Sequence, residues 1–167
     1  MSKKKGSGGQ KSAQASHAVI LIGFPGCGKS TFAKLLGPSV VVCSSDELGS
    51  KEQRKLAEKC ARTGKTPLID SCNVHPKDRA MWASLLPQQR LLVIWLNTPL
   101  QQCAERAKGR KGHPTLPPEK VDEVLGRFAK GFKPPTDHER RKYQLFLEVA
   151  PGGDKEAAKA VLAELQK

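Results

Sequence analysis

Eight consecutive residues, Gly23-Phe24-Pro25-Gly26-Cys27-Gly28-Lys29-Ser30, follow the pattern Gly-x-x-x-x-Gly-Lys-Ser. Glycines let a backbone turn tightly enough for successive N–H groups to face one phosphate, and a helix that begins there adds its positive end. Lys29 is then placed to reach the β and γ phosphates of a nucleotide, and the Ser30 hydroxyl to ligate Mg²⁺. Gly26, Cys27, Gly28, Lys29, Ser30 and Thr31 are the expected nucleotide-binding residues. The pattern directly follows Val19-Ile20-Leu21-Ile22 and directly precedes a helical pattern, the context that a phosphate loop (P-loop) needs. Cys27 suits either an activated thiol among those N–H groups or a small residue that merely fits the turn.

A phosphate loop does not say whether the γ-phosphate goes to water or to a substrate. Phosphoryl transfer to an alcohol needs a base at the acceptor, a group that organises Mg²⁺, and mobile cations over the phosphoryl group. Asp46, after the run Val40 to Ser45, fits a general base, or else the N-cap of a helix starting at Glu47. Asp70, closing Pro67-Leu68-Ile69, fits the metal role together with Ser30. Arg106, Arg110 and Lys111 lie at a helix end in a Gly-rich segment, and a lid over about residues 106–116 is expected from them. Lys29, Asp46 and one or both of Arg106 and Arg110 form the expected catalytic set. There is no Asn-Lys-x-Asp motif of Ras-like GTPases, and the chain is too short for the extra domains of AAA-type ATPases, so a small nucleoside-triphosphate-dependent kinase is the default.

The elements that must hold these residues follow from the apolar pattern. Ala18 to Gly23, Val40 to Cys43, Pro67 to Asp70 and Leu91 to Leu96 read as strands buried on both faces, with Tyr143 to Val149 a candidate edge or fifth strand. Helical segments fall near Lys29 to Leu36, Glu47 to Thr63, Lys77 to Leu85, Leu100 to Lys108, Glu119 to Gly131 and Asp154 to Gln166. Strand then helix, repeated, indicates an α/β P-loop kinase fold: a parallel sheet of about five strands, helices on both faces and a small helical lid. In such sheets the ligand crevice lies at the carboxyl ends of the strands, where the loop, Asp46 and Asp70 all fall.

The 167 residues suit one ordinary domain, and no apolar run is long enough for a membrane span. No membrane partner is expected. Of the formal charge of +13, four units come from Lys3, Lys4, Lys5 and Lys11, in residues 1–17, which read as a disordered basic tail; residues 18–167 form the kinase domain and keep nine. A basic body favours a polyanionic partner, as a solubilising surface bias also would. The five cysteines never form a Cys-x-x-Cys pair, and the N-terminus lacks an apolar signal segment, so cytoplasm or nucleus is the expected compartment.

Three segments resemble the polynucleotide 5′-kinase family of RNA and DNA repair: the P-loop through Thr31, Ser45-Asp46, and Ile69-Asp70-Ser71-Cys72-Asn73-Val74-His75-Pro76-Lys77-Asp78-Arg79. The stretch Gly112-His113-Pro114-Thr115-Leu116 and residues Phe128 to Pro135 look most like the kinase domain of fungal-type tRNA ligases, and the likeness spans about Ala18 to Val149. The resemblance implies transfer of the γ-phosphate of ATP or GTP, with Mg²⁺, to a 5′-hydroxyl end, RNA ahead of DNA, in RNA repair or tRNA splicing. It makes Asp46 the base, and Arg106 or Arg110 the lid arginine. One departure stands out: phage-type enzymes hold the acceptor's 3′-phosphate with an arginine three residues after the base, where this chain has Gly49.

Lys51 or Arg54 could take that place, with Asn73 and Arg79 completing the expected polynucleotide-binding set, although Arg79 also suits a salt-bridged helix face. Linkage to ligase or phosphatase domains in a larger protein would fit the same likeness. Two other readings stand beside it: a P-loop kinase of a small metabolite, and a non-catalytic, nucleotide-gated RNA-binding module.

Overall fold

The computed structural model of the chain describes residues 16–113 and 115–167. Five strands form one parallel sheet: β1 (His17–Ile22), β2 (Val41–Ser44), β3 (Pro67–Asp70), β4 (Arg90–Leu96) and β5 (Leu145–Val149), in the order β2-β3-β1-β4-β5. The expected fold class is the one observed. The described residues also form eight α-helices, α1 (Lys29–Leu36), α2 (Ser45–Leu48), α3 (Ser50–Arg62), α4 (Pro76–Leu85), α5 (Leu100–Gly109), α6 (Val121–Gly131), α7 (Asp137–Arg140) and α8 (Asp154–Leu165), and two short 3-10 turns, Gly37–Ser39 and Pro118–Lys120. None is long and apolar enough to cross a membrane.

Side chains alternate across a strand, so a strand buried on both sides feeds two cores. On β1, Val19 and Leu21 join a cluster with Phe32 of α1, Cys103 of α5, Leu125 of α6 and Val161 of α8. Ala18, Ile20 and Ile22 join the opposite cluster, with Ala57 of α3 and Trp82 of α4. All six β1 residues are buried, which makes this strand the centre of the molecule and a rigid base for the loop that follows it.

Three local differences from the sequence expectations have physical causes. β1 begins at His17, one residue before the expected boundary, because the preceding Ser16 carbonyl accepts the Arg90 N–H at 2.9 Å and its hydroxyl accepts from Gln89 at 2.9 Å. The rest of the expected tail lies outside the described residues. The single helix expected from Glu47 to Thr63 is two, α2 and α3, broken at Gly49, whose φ of 76° is left-handed. Asp46 is thereby inside α2 and is not an N-cap. The short α7 was not expected, although Thr136 and Glu139 have capping-box spacing; the Thr136 hydroxyl accepts the Glu139 N–H at 3.2 Å.

Candidate active site

The loop between β1 and α1 is held from three sides. Gly23 N–H donates to the Cys72 carbonyl at 3.0 Å, Cys27 N–H to the Phe24 carbonyl at 3.1 Å, and the Thr98 hydroxyl to the Cys27 carbonyl at 3.0 Å. Gly26 and Gly28 have φ of 85° and 107°. At Gly26 a side chain would also collide with the Cys103 carbonyl, so glycine is required by both conformation and space. Cys27, within the loop, is buried and its side chain joins the core cluster.

Lys29 donates to the carbonyls of Gly23 and Phe24, both at 3.0 Å, and lies 3.8 Å from the Cys27 sulfur. Burial works against its charge, but Cys72, Cys27, Asp70 and Asp46 around it prevail, so its ammonium is held above the ordinary lysine range. The Ser30 hydroxyl donates to Asp70 Oδ2 at 3.0 Å, which joins the two residues expected to hold a metal, one from each side of the crevice. Asp46, in α2 just beyond the end of β2, accepts the Thr115 hydroxyl on Oδ1 at 2.9 Å.

These groups line one cavity of about 430 Å³ at the carboxyl ends of the strands, together with Gly26, Gly28 and Arg54. Arg110 reaches the same cavity; Arg106 sits exposed on α5 and is not part of the lining, which separates the two expected lid arginines. Thr31 on α1 and Lys51 on α3 are also exposed and outside the lining. From α6, Val124, Arg127 and Phe128 contribute a wall that the sequence reading missed. Their i, i+3, i+4 spacing, on the turns beside core residues Val121 and Leu125, is the signal that could have found it.

One expected polynucleotide ligand, Arg79, is corrected, while Asn73 lines the cavity with its side chain also held inside the fold. Arg79 is 1% exposed: it donates through Nε and Nη2 to Glu139 at 2.5 and 3.1 Å, through Nη1 to the Asn73 carbonyl at 3.0 Å and through Nη2 to the Lys133 carbonyl at 3.0 Å. Asn73 is committed as well, donating to the carbonyls of Leu21 (2.7 Å) and Ser71 (3.1 Å) and accepting the Trp82 indole N–H at 3.1 Å. Its φ of 47° suits asparagine in the left-handed region. Both side chains fasten the loop after β3 to the rest of the domain.

A family profile described as an AAA domain matches residues 50–135, just over half of the chain. The chain belongs to the AAA domain family. The profile begins after the phosphate loop, so this AAA domain is matched through the segment that runs from α3 past the lid region. No curated protein matches the sequence. Among solved structures, a sugar kinase from Janibacter sp. has 16% identity and a TM-score of 0.65, over 90% of this chain and 95% of that one. Kti12 of Chaetomium thermophilum, in complex with ADP-AlF3, has 14% identity and a TM-score of 0.65 over 89% and 97%. The APS kinase of Mycobacterium tuberculosis, in complex with AMPPNP and APS, has 17% identity and a TM-score of 0.59 over 92% and 99%. At these identities the likeness establishes the P-loop kinase fold of this AAA domain.

Proposed function

We propose that this AAA domain is a polynucleotide 5′-hydroxyl kinase that moves the γ-phosphate of ATP or GTP onto a nucleic-acid end, RNA ahead of DNA, in RNA repair or tRNA splicing. The observation that carries the reading is a single cavity in which the phosphate loop and Asp46 stand with three arginines from separate elements, Arg54, Arg110 and Arg127. One triphosphate is already served by Lys29 and the loop's N–H groups. The further guanidiniums suit an acceptor that brings phosphates of its own. The body's nine positive charges point the same way.

In this reading Lys29 exchanges the carbonyls of Gly23 and Phe24 for β and γ oxygens. Ser30 and Asp70 are the residues that would hold Mg²⁺, and the ion would neutralise charge on the phosphates. A carboxylate oxygen of Asp46 takes the proton of the 5′-hydroxyl as that oxygen bonds to the γ-phosphorus. The bond from phosphorus to the β–γ bridging oxygen breaks, and the nucleoside diphosphate leaves. Arg110 steadies the negative charge on the moving phosphoryl group. Arg54 takes the acceptor's phosphate in place of the arginine that Gly49 replaces. Linkage to ligase or phosphatase domains and residence in cytoplasm or nucleus belong to the same reading.

The solved-structure neighbours favour a second reading, a kinase of a small metabolite, since a sugar kinase and an APS kinase share the fold. Labelled ATP or GTP, incubated with Mg²⁺ and either 5′-hydroxyl oligonucleotides of RNA and DNA or a panel of small alcohols, separates the two. Label on RNA ends supports the proposal; label on small alcohols alone rejects it. Asp46→Asn should lower turnover by about 10²- to 10⁴-fold while nucleotide still binds. Undiminished turnover would remove Asp46 from the chemistry.

A further inference from the structure

His113 and Thr115, both beyond α5, line the cavity beside Asp46. Thr115 donates its hydroxyl to Asp46 Oδ1 at 2.9 Å, and His113 Nε2 stands 3.7 Å from Oδ2, so each carboxylate oxygen faces one loop side chain. The other imidazole nitrogen, Nδ1, accepts the N–H groups of Thr115 and Leu116 at 3.3 and 3.2 Å. A nitrogen that accepts carries no proton, so the ring proton sits on Nε2, aimed at the carboxylate. One ring thus closes the loop's own turn and stands 3.7 Å from Asp46, beyond direct hydrogen-bonding distance. Without these contacts the Asp46 side chain, 53% exposed on a four-residue helix, would be free to rotate.

We infer that Thr115 and His113 are positioning residues for Asp46, a clasp by which the seated loop aims the base. The inference rests on the proposed phosphoryl transfer with Asp46 as base. Both act through Asp46: Thr115 occupies one lone pair of Oδ1, and the remaining lone pairs of the carboxylate stay open to the acceptor hydroxyl. Arg110 is on the same loop, so seating it brings the arginine and the aimed carboxylate to the cavity together. A base held in line with its acceptor raises the rate of the chemical step without tightening nucleotide binding.

The test has a kinetic arm and a proteolytic arm. Thr115→Val removes the hydroxyl at constant shape, and Thr115→Ser restores it; His113→Asn keeps an acceptor near the Nδ1 position but withdraws the donor from Asp46. The expected result is a fall in kcat on 5′-hydroxyl RNA of about 10-fold for Thr115→Val and for His113→Asn, with nucleotide KM within about twofold, and recovery of most of the rate in Thr115→Ser. In the second arm, trypsin cleavage after Arg110 and Lys111, followed by mass spectrometry, should be several-fold faster in Thr115→Val and Asp46→Ala than in the wild-type protein. Wild-type rates of turnover or of loop cleavage in Thr115→Val overturn the clasp, as does a loss of kcat and nucleotide affinity together that serine does not repair. A wild-type protein that labels no RNA end would instead reject the polynucleotide reading, and loop cleavage then decides the clasp by itself.

Discussion

His17 carries the one buried side-chain nitrogen or oxygen without a hydrogen-bond partner among the described residues, its Nε2. Burial, then the nearby Arg90, pull its pKa below the usual 6.5, against a smaller opposing pull from Glu164. The imidazole is therefore neutral in the fold and takes up a proton more readily when unfolded, so its contribution is complete above pH 6.5 and is lost as pH falls below it. Thermal melts of the wild-type chain should drop between pH 7.5 and 5.5, and His17→Leu should flatten that slope. An equal slope in both proteins would assign the acid sensitivity elsewhere. The lowered carboxyl of Glu139 acts in a separate window, losing its contribution only as pH falls below about 4.5. At this scale the P-loop, Asp70 and Asp46 were legible because their meaning lies in neighbouring residues. Arg79 and Asn73 were not, because what occupies them, Glu139 and Lys133 for Arg79 and Trp82 for Asn73, lies 60, 54 and 9 residues away in the chain.

Between elements, Arg79 does the work of a bolt, joining α4 to the segment from Lys133 to Glu139 and to the loop after β3. Tyr143 adds its hydroxyl to the same Glu139 at 2.6 Å, and its own ionisation is pushed up by burial and by that carboxylate. Truncating Arg79 leaves Glu139 short of its partner and the carbonyls of Asn73 and Lys133 without their donor, at a cost of about 3 kcal/mol. Arg79→Ala should lower the melting temperature by about 6–12 °C, and Arg79→Lys should rescue little because an ammonium cannot span the same set of acceptors. A shift under about 2 °C would contradict the buried network. The strands were readable as elements since the central ones carry near-continuous apolar runs, with polar residues only at their ends. The break at Gly49 was not, because glycine inside a helical pattern signals a break only once the flanking φ is known. The cavity face of α6 escaped for a different reason: its apolar members serve the core and the cavity at once.

Over the whole molecule, the parallel sheet gathers three strand ends, and with them the loop, the Ser30–Asp70 pair and Asp46, along one rim. The charge that suggested a polyanionic partner sorts into separate duties. Arg79 is spent internally and Lys108 is paired with Asp122 at 2.6 Å, while Arg54, Arg110 and Arg127 face the cavity. The support under these groups is uneven. The phosphate loop grows from β1, a strand with a neighbour on each side, whereas Asp46 grows from β2, four residues long, paired only with β3 and with Val42 half-exposed. Edge strands open locally at a smaller cost than central ones. Mild denaturant should therefore disarm the molecule before it melts: in a urea series, phosphoryl transfer should fade at lower concentration than the far-ultraviolet dichroism signal, with nucleotide binding outlasting transfer. Coincident loss of all three would mean that the rim yields as one piece.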